Sequence, residues 1–150
     1  MDNVPSPPTK KVKADYVWRD IERRASSDGV ESKVPAPYPL KEFDIANSVA
    51  VLGMQEGWCA NYVQATYRRW FLEWLEPGSE HNVSESLREI GQDQERFLEL
   101  ATGEETGEVY SCQTESAQLK GIFGSPSFIV GGELFWGDDR LEDAVSWALR

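Results

Sequence analysis

Two short apolar runs near the C-terminus constrain this chain most. Ser127, Phe128, Ile129 and Val130 form one, and Glu133, Leu134, Phe135 and Trp136 the other, with Gly131 and Gly132 between them. Aromatic and β-branched residues favour extended backbone, and a glycine pair tolerates the positive φ angles of a tight hairpin. The segments before the hairpin carry helical spacing or turn residues. The order read from the sequence is many helices, one hairpin and one closing helix.

Prolines at 5, 7 and 8 leave the first residues as an extended arm, followed by Lys10, Lys11 and Lys13. From Asp15, the positions Val17, Trp18, Ile21 and Ala25 predict a helix that stops at the Ser-Ser-Asp-Gly run 26–29. The proline-rich segment 34–39 is a rigid connector. A second helix is predicted from Asp44 as N-cap to a C-terminal Gly57, and a third over about 60–75. Along the third, Val63, Tyr67, Trp70, Phe71 and Trp74 form an aromatic stripe, read as core or, more sharply, as the wall of an apolar substrate pocket. Short helices are predicted over 86–90 and 94–101, and a longer one over 105–120 with Val109, Cys112 and Leu119 on one side. Asp138 or Asp139 caps the last helix, which places Leu141, Ala144, Val145 and Ala148 at helical spacing.

Charge is uneven. The formal net charge is -11, and residues 76–118 hold eleven acids against Arg88 and Arg96. Such a face repels phosphate backbones, so no nucleic-acid partner is expected, and a solvated helical surface accounts for it. No stretch has the run of roughly 18 apolar residues that a membrane helix needs, and the N-terminus lacks a secretory apolar run. A soluble, cytoplasmic protein without a membrane partner is therefore expected. The sequon at Asn82 then reads as coincidence.

Generic catalytic motifs are absent. Cys59 and Cys112 lie too far apart for a metal pair or a redox motif and read as buried thiols. The single histidine, His81, reads as a surface-loop residue with no nucleophile beside it. There is no phosphate loop, no metal-ligand spacing and no serine elbow. Pro126 stands just before a strand, a position proline tolerates, and the base rate of about 5% for cis X-Pro bonds makes it an ordinary strand-start proline on sequence physics alone.

The runs Gly-Ile-Phe-Gly-Ser-Pro-Ser-Phe at 121–128 and Gly-Glu-Leu-Phe-Trp-Gly-Asp-Asp-Arg-Leu at 132–141 closely resemble the C-terminal signature of 2-hydroxychromene-2-carboxylate isomerases and kappa-class glutathione transferases. The run Lys-Ala-Asp-Tyr-Val-Trp-Arg-Asp at 13–20 is similar to the start of that family's inserted helical domain, as are residues 57–59 and 67–71. The resemblance covers nearly the whole chain. It implies a mainly α, DsbA-like thioredoxin fold, truncated, with an inserted helical domain. One domain over 1–150 is expected, made of an arm at 1–14, a helical insertion at 15–118, and a thioredoxin-like hairpin with closing helix at 119–150.

The resemblance also implies a glutathione site and no metal. Ser125 and Pro126 stand where the family's cis-proline loop offers its backbone to the cysteinyl part of glutathione. Asp138 and Asp139 match the acceptors of the glutamyl amine, a role compatible with helix capping. Lys13 matches a lysine that faces a glutathione carboxylate, and Asn3 matches at a slightly different spacing. The family's catalytic serine follows its first strand, and nothing before Lys13 resembles that segment, so no catalytic residue is assigned here. Relative to the family, the chain begins after the first strand, first helix and second strand.

That leaves the outer edge of the strand 127–130 exposed, which predicts pairing with a second copy or a complementing chain. Three readings follow. The chain is an isomerase relative, catalytically impaired alone, that binds glutathione or a small aromatic ligand. Alternatively it is a subunit of a split isomerase or transferase, or an interaction module that pairs through the hairpin edge. Disulfide exchange is not expected, since paired thiols are missing.

Overall fold

The computed structural model describes residues 11–150. The chain divides into two compact units, one ending at residue 110 and the other spanning Ser111–Arg150. The main apolar core lies wholly in the first unit. In the second, Ala144 alone is a buried apolar residue.

The first unit contains α1 (Lys11–Ser27), α2 (Phe43–Glu56), α3 (Cys59–Glu73), α4 (Glu80–Glu89) and α5 (Gln94–Ala101). The helix α6 (Glu104–Leu119) begins in the first unit and ends in the second. Val49, Leu52, Trp58, Tyr62, Val83, Leu87, Phe97 and Ala101 form the core, one stripe from each of α2 to α5 and the α2–α3 turn. Trp58 is its centre, edge-on to Tyr62 at 6.1 Å and to Phe97 at 4.8 Å. The indole also lies where a side chain on Gly53 would be, 2.8 Å from an ideal Cβ, so helix α2 needs a glycine there.

Helix ends follow local chemistry. Gly57 closes α2 at φ 86°, and the amides of Gly57 and Trp58 both return to the Gly53 carbonyl. Asp93 caps α5 by accepting from the Glu95 and Arg96 amides, both at 3.1 Å. Asp44 does not cap α2, which begins one residue before it. The carboxylate of Glu76, from beyond α3, accepts instead from the Lys41 and Glu42 amides. Ser79 caps α4 by accepting from the Asn82 amide. That cap draws the helix start back to Glu80, so His81, expected in a loop, lies exposed in the first turn of α4.

Residues 11–14, expected in the extended arm, are helical, because Lys11 begins α1 and pairs with Asp15 one turn on. The aromatic stripe of α3 is not core. Tyr62, Ala65, Thr66 and Arg69 make the buried face, while Tyr67 and Trp74 are 52% and 58% exposed. The stripe grips the connector instead. Trp70 Nε1 donates to the Pro37 carbonyl at 2.9 Å and Trp74 Nε1 to the Lys33 carbonyl at 3.0 Å.

Asn82 is fully buried, so the sequon cannot carry a glycan. Its amide donates to the carbonyls of Thr66 at 3.2 Å and Leu75 at 2.9 Å, and its oxygen accepts from Ser86 Oγ at 2.9 Å. Buried Arg69 binds the Ala65 and Glu85 carbonyls and pairs with Glu89 at 2.8 Å. Burial works against the Glu89 charge, but the Arg69 hydrogen bond and the Arg69 and Arg68 charges outweigh it and hold that carboxyl below the usual range.

The second unit carries β1 (Ser127–Val130) antiparallel to β2 (Glu133–Trp136), then a 3-10 turn at Asp138–Arg140 and α7 (Leu141–Ala148). Gly131 and Gly132 turn the hairpin at φ 59° and 88°, as the glycine pair predicts. On α7 the apolar spacing is only partly used: Ala144 is buried, but Leu141 and Val145 are 48% and 51% exposed. Leu119 on α6 is 90% exposed, and no stripe through Val109 and Cys112 is buried there. The architecture is thus mostly helical with a C-terminal hairpin and trailing helix.

Burial pushes the Tyr62 phenol up to about 12, with the Thr66 hydroxyl acting weakly the other way. A group whose folded value is raised contributes stability that is fully present below its unfolded value of about 10 and is lost as pH rises through the folded value. Tyrosinate absorbance is expected to show one tyrosine ionising last, near pH 12. Tyr62→Phe should remove that late step and reduce the loss of stability between pH about 10 and 12, measured by urea midpoints.

Candidate ligand-binding site

The turn before β1 and the turn after β2 lie side by side. The Ser125–Pro126 bond is cis. The Pro126 carbonyl accepts from the Gly137 amide at 3.0 Å, which fixes the two turns together. Ser127 Oγ donates to the Gly124 carbonyl at 2.6 Å, closing the loop that leads into Ser125. Gly124 sits under the Trp136 indole, where an ideal Cβ would come 2.5 Å from Nε1, and Phe123 packs on the same indole at 5.0 Å. Ser125 and Pro126 remain exposed at the rim.

Gly137 adopts φ 116° and ψ 149°, a region that side-chain-bearing residues essentially avoid. A Cβ there would meet Asp139 Oδ1 at 2.5 Å. Asp138 and Asp139 follow, both exposed, with Asp139 also 3.5 Å from the Arg140 guanidinium. Neither caps α7 through its side chain, as the capping pattern predicts. The chain tightens into a 3-10 turn, so Arg140 becomes the N-cap of α7.

Of the residues assigned from the sequence, Ser125, Pro126, Asp138 and Asp139 are thus gathered at one end of the hairpin. Lys13 lies exposed on α1, in the other unit. Asn3 lies outside the described residues. Gly137 was missed by sequence reasoning; the only available signal was a glycine directly before an acidic pair.

Neither cysteine is fully buried: Cys59 is half-buried and Cys112 exposed, because α6 turns that face outward. Burial pushes the Cys59 thiol up, away from the thiolate form that attacks. Among the described residues no three His, Cys, Asp or Glu side chains gather to hold a metal. No helix among them is long and apolar enough to cross a membrane.

The helical unit has apolar hollows of its own. One of about 450 Å³ lies between α1 and α3, walled by Ile21, Ala25, Tyr67, Phe71 and Leu72, with Gln64 and Arg68 also on its lining. Tyr67 and Phe71 of the α3 stripe therefore line a hollow rather than the core.

A helical unit attached to a hairpin and closing helix, with a cis-proline turn at the hairpin's mouth, defines the class: a thioredoxin-like protein with a large helical part. The DSBA-like thioredoxin domain family matches residues 1–146, and the chain belongs to that family. Within it, the chain is homologous to the 2-hydroxychromene-2-carboxylate isomerases. It is 29% identical to that of Pseudomonas putida over 137 residues, covering 91% of this chain and 66% of the relative. Identity to the Sphingobium xenophagum isomerase is 25%, covering 91% of this chain and 69% of the relative. A solved 2-hydroxychromene-2-carboxylate isomerase superposes with a TM-score of 0.82 at 28% identity, over 96% of this chain and 70% of that one. A Nitrosomonas europaea protein, solved as a candidate protein disulfide isomerase, shares the fold with a TM-score of 0.71 at 14% identity, over 98% of this chain and 77% of its own. The chain spans about two thirds of the length of the curated relatives it matches.

Gly137→Ala places a side chain in a glycine-only conformation, at a cost of about 1–3 kcal/mol. Amide exchange of β1 and β2 is expected to speed up by roughly tenfold or more, while that of α2 to α5 stays unchanged. Unaltered exchange in the hairpin would contradict the role given to Gly137.

Proposed function

We propose that this chain carries the glutathione-binding loop and the aromatic-ligand-binding helical part of a protein related to 2-hydroxychromene-2-carboxylate isomerase. By itself it binds such ligands weakly and does not turn them over. The observation that carries the reading is the pairing of the cis Ser125–Pro126 turn with the Gly137–Asp139 turn inside the run of strongest family resemblance. Exposed backbone at Ser125 suits a cysteinyl peptide unit. The carboxylates of Asp138 and Asp139 suit a glutamyl ammonium, since charge-assisted hydrogen bonds are the strong ones. Lys13 and Asn3 enter the proposal on the family resemblance alone.

Turnover is not assigned to these residues, because none of them matches the family's catalytic serine. A second chain that supplied that serine would make the protein one part of a split isomerase. A cytoplasmic location, rich in glutathione, fits the same proposal.

Calorimetric titration of the chain with glutathione tests it. Saturable binding is expected, weakened roughly tenfold in Asp139→Ala by loss of one charged hydrogen bond. An absence of binding, or equal affinity in the variant, would sink the reading.

A second reading, pairing through the hairpin, is favoured by one observation. Among the described residues β1 has β2 as its strand partner on one side, and Ile129 on β1 is 41% exposed. Unpaired apolar edges invite another strand. Light scattering at micromolar concentration is expected to give a homodimer, or a heterodimer once a complementing chain is added; a monomer under both conditions removes this reading.

A further inference from the structure

The hollow of about 450 Å³ between α1 and α3 lies wholly within the helical unit. Ile21 and Ala25 of α1, Val30 of the loop after it, and Tyr67, Phe71 and Leu72 of α3 make its apolar walls. Pockets that take small molecules run from about 300 to 1,000 Å³ and combine apolar walls with a few placed polar groups. The hollow meets both conditions. Its volume is well above the roughly 150 Å³ of a cavity that admits benzene, which leaves room for an apolar body of about ten carbons.

The walls favour a chain over a flat ring system. Ile21, Ala25, Val30 and Leu72 are aliphatic. The two aromatic walls are engaged with each other and with a neighbour: Tyr67 stacks on Phe71 at 6.1 Å and 26°, and Trp70 packs against both, at 5.6 and 4.6 Å. Aromatic ligands gain their extra stabilisation from stacked or edge-to-face contact with a ring, whereas an alkyl chain needs only apolar surface.

Charge places the head. Gln64 and Arg68, one turn apart on α3, line this hollow and also the polar one beside it, which Asn61 and Glu89 complete. There Glu89 pairs with Arg68 and, at 2.8 Å, with Arg69, so two guanidinium groups face one carboxylate and a positive charge is left over. Arg68 has five N–H donors and Gln64 two, enough to hold a carboxylate as well as Glu89. Glu31 touches the hollow too, but the cations near it, Arg19 and Arg23, are paired with Glu22 and Asp20. A ligand carboxylate beside Glu31 would meet like charge.

We propose that this hollow binds a medium-chain fatty acid, its chain between Ile21, Ala25 and Phe71 and its carboxylate on Arg68 and Gln64. The site belongs to the helical unit and stands whether or not the hairpin turns bind glutathione.

The test follows backbone amide shifts of the full chain in proton–nitrogen correlation spectra during titration with decanoate, decanol and 1-naphthoate, each kept below its solubility or micelle threshold. Decanoate is expected to saturate shifts confined to α1, residues 30–32 and α3. Decanol should bind roughly tenfold more weakly through loss of the charged hydrogen bonds, and 1-naphthoate more weakly than decanoate. In Arg68→Gln, decanoate should fall to the affinity of decanol while decanol is unchanged. Ala25→Phe fills the hollow and should abolish both. Absence of saturation, shifts spread through the hairpin, decanol or 1-naphthoate binding as tightly as decanoate, or unchanged decanoate affinity in either variant would overturn the proposal.

Discussion

The fold of the helical unit hangs on one buried amide. Asn82 takes up the carbonyls of Thr66 and Leu75 and the hydroxyl of Ser86, so it joins the C-terminal part of α3, the reversal after it and the body of α4 in one step. Without it, the Leu75 carbonyl at the chain reversal would lose its Asn82 donor, which costs more than the bond itself returns. The reversal is sharp. Trp74 is in the left-handed region at φ 59°, rare for so large a side chain, and its amide returns to the Arg69 carbonyl. Once α3 and α4 are locked, Trp58, Tyr62, Leu87 and Phe97 can close on each other as the core.

The same lock explains the aromatic stripe. Arg69 and Asn82 occupy the inner side of α3 with polar contacts, and Tyr62 and Ala65 fill what remains. The larger rings of Tyr67, Trp70 and Trp74 lie outside the core, and the indole N–H groups of Trp70 and Trp74 reach the carbonyls of Pro37 and Lys33. Tryptophan suits such a place because it covers apolar surface while keeping a polar handle. This leaves hollows on both sides of the stripe, although the same helix reads as core in sequence.

The hairpin unit depends on a different device. Its two turns are joined by the hydrogen bond from Gly137 to the Pro126 carbonyl, and Gly124 and Gly137 leave room for Trp136 and Asp139. Few residues in it are buried, so its geometry comes from backbone bonding and glycine conformations more than from a core. A unit of about 40 residues can bury too little apolar surface to be otherwise.

The sequence by itself determined the elements whose causes are local: the glycine-turned hairpin, the Gly57 stop of α2, the Asp93 start of α5, and the order of helices before one hairpin. It also carried the family resemblance that points to Ser125, Pro126, Asp138 and Asp139. Only the tertiary structure decided which face of α3 is buried, that Glu76 rather than Asp44 serves the start of α2, and that α7 begins after a 3-10 turn. These outcomes turn on groups from distant parts of the chain competing for the same amides, carbonyls and space, and periodicity along one helix carries no record of that competition.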